Sequence, residues 1–191
     1  DIGLIRLKDI ILKPHKLELS EYEQVKKHPI YSKELLQEAR YISDAVRDIA
    51  LYHHERVNGT GYPQGLKTQD LQDLVKIVSV CDAFEAMIHD RPWRIGINPY
   101  EAMKIIRNES GKLFDANIVK ILVEKISVYP IGSRVRLNSQ EGAEVVKVEG
   151  GFPRLIKILC DSSGNMLENP RLLDLFDYPN LYIEKALTKS E

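Results

Sequence analysis

The 191-residue sequence has very little cysteine: Cys81 and Cys160 stand far apart, each in an apolar run. That excludes a disulfide framework and reads as buried thiols in a reducing, cytoplasmic compartment. Excess charge of one sign is also missing. With 27 Lys and Arg against 28 Asp and Glu, the net charge is −1, so no strong field draws the chain to a nucleic-acid polymer or an anionic membrane. No apolar run approaches the roughly 20 residues of a membrane helix, and no signal peptide, repeat or low-complexity segment is visible. The chain begins at Asp1 without a methionine, which reads as an excised piece. What is present, 43% hydrophobic and 29% charged residues, reads as soluble and globular. The length suits one core of ordinary size and a smaller companion.

Local signals divide the chain near residue 128. Ser20-Glu21-Tyr22-Glu23 has capping-box spacing and predicts a helix running to about His28. Pro29 fits the first turn of the next helix. Ser43 or Asp44 caps another, in which Val46, Ile49, Ala50 and His53 recur at helical spacing. A long helix is predicted from Leu71 to about His89, with Leu71, Leu74, Val75, Val78 and Asp82 on one face. Asn98-Pro99-Tyr100-Glu101 opens a helix ending near Gly111, and Phe114 to Ile126 gives one more. From Tyr129 the pattern is short and alternating. Strands are predicted at 134–137, 143–148, 154–160 and 181–186, with turns at Gly150-Gly151 and Ser162 to Asn165. The expected fold class is α+β: an all-α helical bundle over 1–128, then a small antiparallel β-rich domain over 129–191.

Chemistry concentrates in His53-His54-Glu55-Arg56-Val57-Asn58-Gly59-Thr60-Gly61-Tyr62-Pro63. Adjacent imidazoles leave a helix about 100° apart, so they suit two metals, or one metal and a ligand. Gly59 and Gly61 tolerate positive φ and Pro63 lacks an N–H, so a rigid loop must follow. Asp82 lies mid-helix on the apolar face, where an unpartnered carboxylate is very costly. It needs a metal, an arginine or a dense set of donors, and a structural hydrogen-bonding role is the plain alternative. His28 alone reads as a cation at a helix C-terminus. Taken together, three histidines and the aspartates Asp1 and Asp82, with no cysteine nearby, make a nitrogen/oxygen ligand set. Such a set suits iron, manganese or zinc, held between several helices.

The stretch His53-His54-Glu55 to Gly61-Tyr62-Pro63 resembles the signature of HD-GYP domains, a bacterial group of HD metal-dependent phosphohydrolases. Asp1-Ile2-Gly3, Lys13-Pro14, His28-Pro29, Cys81 to Met87 and Asp90-Arg91-Pro92-Trp93-Arg94 fall in that family's order, so the likeness spans roughly residues 1–126. It implies hydrolysis of cyclic di-GMP to pGpG and GMP in bacterial second-messenger signalling, with water activated by metal. It implies Asp1, His28, His53, His54 and Asp82 as metal ligands, with Asp1, His53 and Asp82 at the chemistry. The ions would be two, or three, divalent metals: iron or manganese, with zinc the alternative. Tyr62, Arg91 and Arg94 would face the substrate, since a guanidinium fork suits phosphate, and the alternative for the arginines is an exposed surface pair. Gly59, Gly61 and Pro63 would shape the loop.

The sequence departs from the pattern in places. The histidine that precedes the aspartate in the family is outside this chain. Leu4 stands where a lysine is frequent, Asn58 where an aspartate is, and Trp93 where a tyrosine is. Leu4 favours a second reading, a degenerate sensor or interaction module that binds cyclic di-GMP or metal without turnover. A third is a phosphohydrolase for another cyclic dinucleotide or nucleotide. The 129–191 segment resembles a small β domain found after HD-GYP domains and suits packing or association. Expected partners are a cyclic dinucleotide, a second copy in a homodimer, and an upstream sensory or receiver domain.

Overall fold

A computed structural model describes residues 1–92 and 94–187; Trp93 and the last four residues lie outside it. A helical region is followed by a five-stranded antiparallel sheet, an α+β fold. By packing, the chain forms two compact units. One comprises 1–96 with 109–118, the other 97–108 with 119–191.

The first unit opens with a 3-10 turn over Ile2–Leu7 and a short α1 (Lys8–Ile11). Helix α2 (Leu19–Val25) is capped by Glu18, not by Ser20. Glu18 and Glu21 exchange the reciprocal bonds of the capping box, so the box lies two residues earlier than the Ser20-x-x-Glu23 spacing predicts. Helix α3 (His28–Glu38) carries Pro29 in its first turn, where the missing N–H costs nothing. His28 therefore opens a helix, which corrects its reading as a C-terminal cation. Helix α4 (Asp44–Tyr52) starts at Ser43, whose hydroxyl accepts from Val46 N.

Helix α5 (Asp73–Ile88) buries Val75, Ser79, Val80 and Phe84, whereas Leu74 is 51% exposed. Of the predicted face, Leu71 and Val75 are buried, Val78 and Asp82 are half-buried, and Leu74 alone is exposed. Apolar residues occur nearly all round this helix, and spacing alone does not select the inward face. Cys81 is exposed and Cys160 half-buried, against the expectation of two buried thiols.

In the second unit, Asn98 Oδ1 accepts from Tyr100 N at the start of α6 (Pro99–Asn108), as the Asn-Pro pair predicts. Helix α7 (Ala116–Ile126) precedes β1 (Arg134–Leu137), β2 (Gly142–Glu149), β3 (Phe152–Cys160), β4 (Met166–Asp174) and β5 (Ile183–Ala186). The sheet order is β4-β3-β2-β1-β5. Val135, Leu137, Ala143, Val145, Ile156 and Ile158 form its core. Strand β4 is absent from the sequence reading because Pro170 and three charged residues interrupt its alternation. It is an edge strand, the place where a sheet tolerates proline.

Candidate metal centre

Gly3 brings the first side chain to the site. A Cβ there would stand 2.1 Å from the His28 carbonyl oxygen and 2.6 Å from Ser32 N. Only glycine lets the N-terminal turn press onto the start of α3, and Gly3 N donates to Ser32 Oγ at 2.9 Å. Asp1 is thereby set against two histidines, its Oδ1 lying 3.0 Å from His28 Nε2 and 3.2 Å from His53 Nε2.

The two rings are held from behind. His28 Nδ1 lies 2.7 Å from the Val25 carbonyl and His53 Nδ1 lies 3.0 Å from that of Ile49. A carbonyl only accepts, so each Nδ1 carries the proton and each Nε2 presents a lone pair. Both rings are buried. Burial holds all three imidazoles neutral. It lowers His53 from the usual histidine range, His28 to about 4, and His54, which also faces two other histidines, to about 2.

Two imidazole lone pairs thus converge on one carboxylate oxygen. His28 Nε2 is buried and has no partner in hydrogen-bonding geometry. Acceptors do not satisfy one another, and a cation among them would satisfy all three. The donor atoms of Asp1, His28, His53 and His54 lie within 4.8 Å of one another. Donors on a single ion at about 2.1 Å stand up to about 4.2 Å apart, so a slight contraction closes the set. The residues present therefore fit a divalent metal. The carbonyl bonds behind two of the rings are the support that metal-ligating histidines usually have. Asp82, half-buried on α5, has Oδ2 3.8 Å from His54 Nδ1, so it borders the cluster from the His54 side.

The loop after the histidines is pinned by Glu55, which the sequence reading did not single out. Its carboxylate is buried and accepts from three backbone amides: Gln64 N at 2.7 Å, Gly65 N at 3.1 Å and Leu66 N at 3.0 Å. The signal was available, since a Glu at a helix end before a glycine-rich loop suits such capping of amides. Arg56 locks the same turn to α5, donating to Ser79 Oγ at 2.6 Å and to the Glu55 carbonyl at 3.0 Å. Gly59 has φ +82°, as expected. Gly61 does not need a positive φ; a Cβ there would lie 2.4 Å from Arg56 N and from Glu55 Cα. Its requirement is close backbone approach. Pro63 follows a cis peptide bond.

Tyr62 stacks on His54 with ring centroids 4.7 Å apart, which sets it beside the His/Asp cluster. Arg91 and Arg94 are exposed and exchange backbone hydrogen bonds across a tight turn. The Arg91 guanidinium pairs with Glu85 at 3.2 Å, and that of Arg94 donates to the Ala86 carbonyl. Arg94 also lines a cleft with Lys16, Leu17, Leu19, Tyr22 and Val25.

Fold and site together define a helical unit whose His/Asp cluster could hold a divalent metal beside a glycine-shaped loop. The HD domain family matches residues 1–118, and a KOW domain associated with HD domain matches residues 134–191. This chain belongs to the HD domain family, which implies a divalent metal, and the relatives support the HD-GYP likeness read in the sequence. The cyclic di-GMP phosphodiesterase PA4108 of Pseudomonas aeruginosa is 37% identical over 151 residues, 78% of this chain and 36% of that protein. A cyclic di-GMP phosphodiesterase of Thermotoga maritima is 37% identical over 65% of this chain and 34% of its own length. The 3'3'-cGAMP-specific phosphodiesterase 1 of Vibrio cholerae is 34% identical over 68% of this chain and 30% of its own length. The chain thus spans about a third of the length of these relatives.

Proposed function

We propose that this protein hydrolyses the phosphodiester bonds of cyclic di-GMP to pGpG and GMP in bacterial signalling. The observation that carries the reading is the convergence of unprotonated His28 and His53 Nε2 atoms on Asp1, beside His54 and Asp82, within a family whose similar members are cyclic dinucleotide phosphodiesterases. Asp1, His28, His53, His54 and Asp82 would hold two divalent ions, iron or manganese in preference to zinc. Such ions supply a nucleophile from water near neutral pH and neutralise charge on the phosphoryl oxygens. The chain's own residues do the rest. Asp1, His53 and Asp82 would act at the reacting phosphorus. Glu55 and Arg56 keep the 59–66 loop rigid, so that Tyr62 forms the wall above His54. Arg91 and Arg94 supply the cations that receive the substrate phosphates. The functional boundary to the β-rich accessory module lies near residue 128.

Turnover by the full-length, metal-loaded protein tests this. Cyclic di-GMP should yield pGpG and GMP, and a chelator should abolish the reaction. Binding without any product would replace the reading with the sensor that Leu4 favours. Preferential cleavage of 3'3'-cGAMP in the same panel would move the substrate to that of the Vibrio cholerae relative.

A further inference from the structure

The first unit leaves a large apolar cleft open. Its volume is about 650 Å³, and Leu17, Leu19, Tyr22 and Val25 line it, with the cations Lys16 and Arg94. Leu19 is 86% exposed and Tyr22 46%, a cost for large apolar side chains unless something covers them. Two neighbouring residues connect its wall to the candidate metal site. The Lys26 ammonium stands over the Tyr22 ring at 5.1 Å and over the Tyr62 ring at 6.0 Å. Tyr62 in turn stacks on His54. Val25, in the cleft wall, gives the carbonyl that fixes His28.

We infer that this cleft is a nucleobase subsite, in which Leu19 and Tyr22 hold one purine of the cyclic dinucleotide while its phosphate reaches the metal centre. The inference rests on the substrate reading above. Apolar walls and one aromatic ring suit the face of a base. Lys16, Lys26 and Arg94 complement the phosphates joined to it, and Lys26, which stands over both the Tyr22 and Tyr62 rings, ties the base position to the phosphate position. A cleft of this size takes a base together with part of its ribose. Tyr22 and Leu19 thus become specificity-determining residues, a role distinct from the metal ligands.

The test compares Tyr22→Ala, Tyr22→Phe and Leu19→Asp in the full-length protein. Affinity is read as KM against kcat where cyclic di-GMP is turned over, and as Kd where it is only bound. A base-free diester, methyl p-nitrophenyl phosphate, serves as the control substrate, and metal content is measured throughout. Losing one base–aromatic stack should weaken cyclic di-GMP about tenfold for Tyr22→Ala. Leu19→Asp should weaken it similarly, Tyr22→Phe should keep it, and the preference for cyclic di-GMP over the base-free diester should fall with affinity. Unchanged affinity in both Tyr22→Ala and Leu19→Asp overturns the inference, and so does an equal loss on both substrates. Binding that depends on Tyr22 without turnover would leave this subsite standing while the hydrolase reading fails. Turnover indifferent to Tyr22 and Leu19 would do the reverse.

Discussion

Asp82 sits half-buried, 3.8 Å from a neutral imidazole. A neutral His54 gives Asp82 no countercharge, and a metal held as proposed above would offset its desolvation. Replacing Asp82 with alanine should remove much of the bound metal, measured by elemental analysis of purified protein. Unchanged metal content would reduce Asp82 to the structural hydrogen-bonding role. Gly61 makes a different demand. A methyl group 2.4 Å from two backbone atoms has no flexible neighbour to displace. Gly61→Ala should therefore cost about 2 kcal/mol or more, a drop of about 5 °C in melting temperature for a chain of this size. At this scale the sequence was informative about residue type and silent about reason. Gly61 was legible as a loop glycine, but its need is proximity to the Glu55–Arg56 backbone, which only the folded turn reveals.

Among the elements, the 59–66 loop depends on one carboxylate. Glu55→Ala would leave the Gln64, Gly65 and Leu66 amides without their acceptor. An unmade bond to a charged group costs roughly 1.5–3 kcal/mol, part of which water recovers at exposed Gln64 and Gly65. Hydrogen exchange at 64–66 should accelerate by one to two orders of magnitude, about 1.4 kcal/mol per factor of ten, whereas exchange in α3 stays unchanged. Exchange at 64–66 unchanged by the substitution would show that the loop is held by its backbone alone. Element boundaries followed from local chemistry wherever one residue decided them: Ser43 at α4, the Asn98-Pro99 pair at α6, Gly150-Gly151 between β2 and β3. They failed where two caps competed or a proline broke the pattern, as at Glu18 and in β4.

For the molecule, all five candidate ligands belong to the unit formed by 1–96 and 109–118, whereas the Val135–Ile158 cluster belongs to the other. Ile158→Ala should destabilise the sheet by about 2–4 kcal/mol through the cavity it leaves. Calorimetry should register that loss in the transition of the sheet-bearing unit, and bound metal per chain should stay as in the parent protein. Among the described residues no helix is long and apolar enough to cross a membrane.

Sequence alone determined the helical-then-β order, the residue types offered as ligands and the loop after His54, because capping, glycine and side-chain chemistry are properties of the residues themselves and their near neighbours. Tertiary structure decided which face of α5 is buried, that His28 and His53 both aim Nε2 at Asp1, and that Tyr22 and Leu19 line a cleft with Val25 and Arg94. Those outcomes depend on contacts between residues far apart in the chain, such as the 52-residue span from Asp1 to His53, which no local pattern encodes.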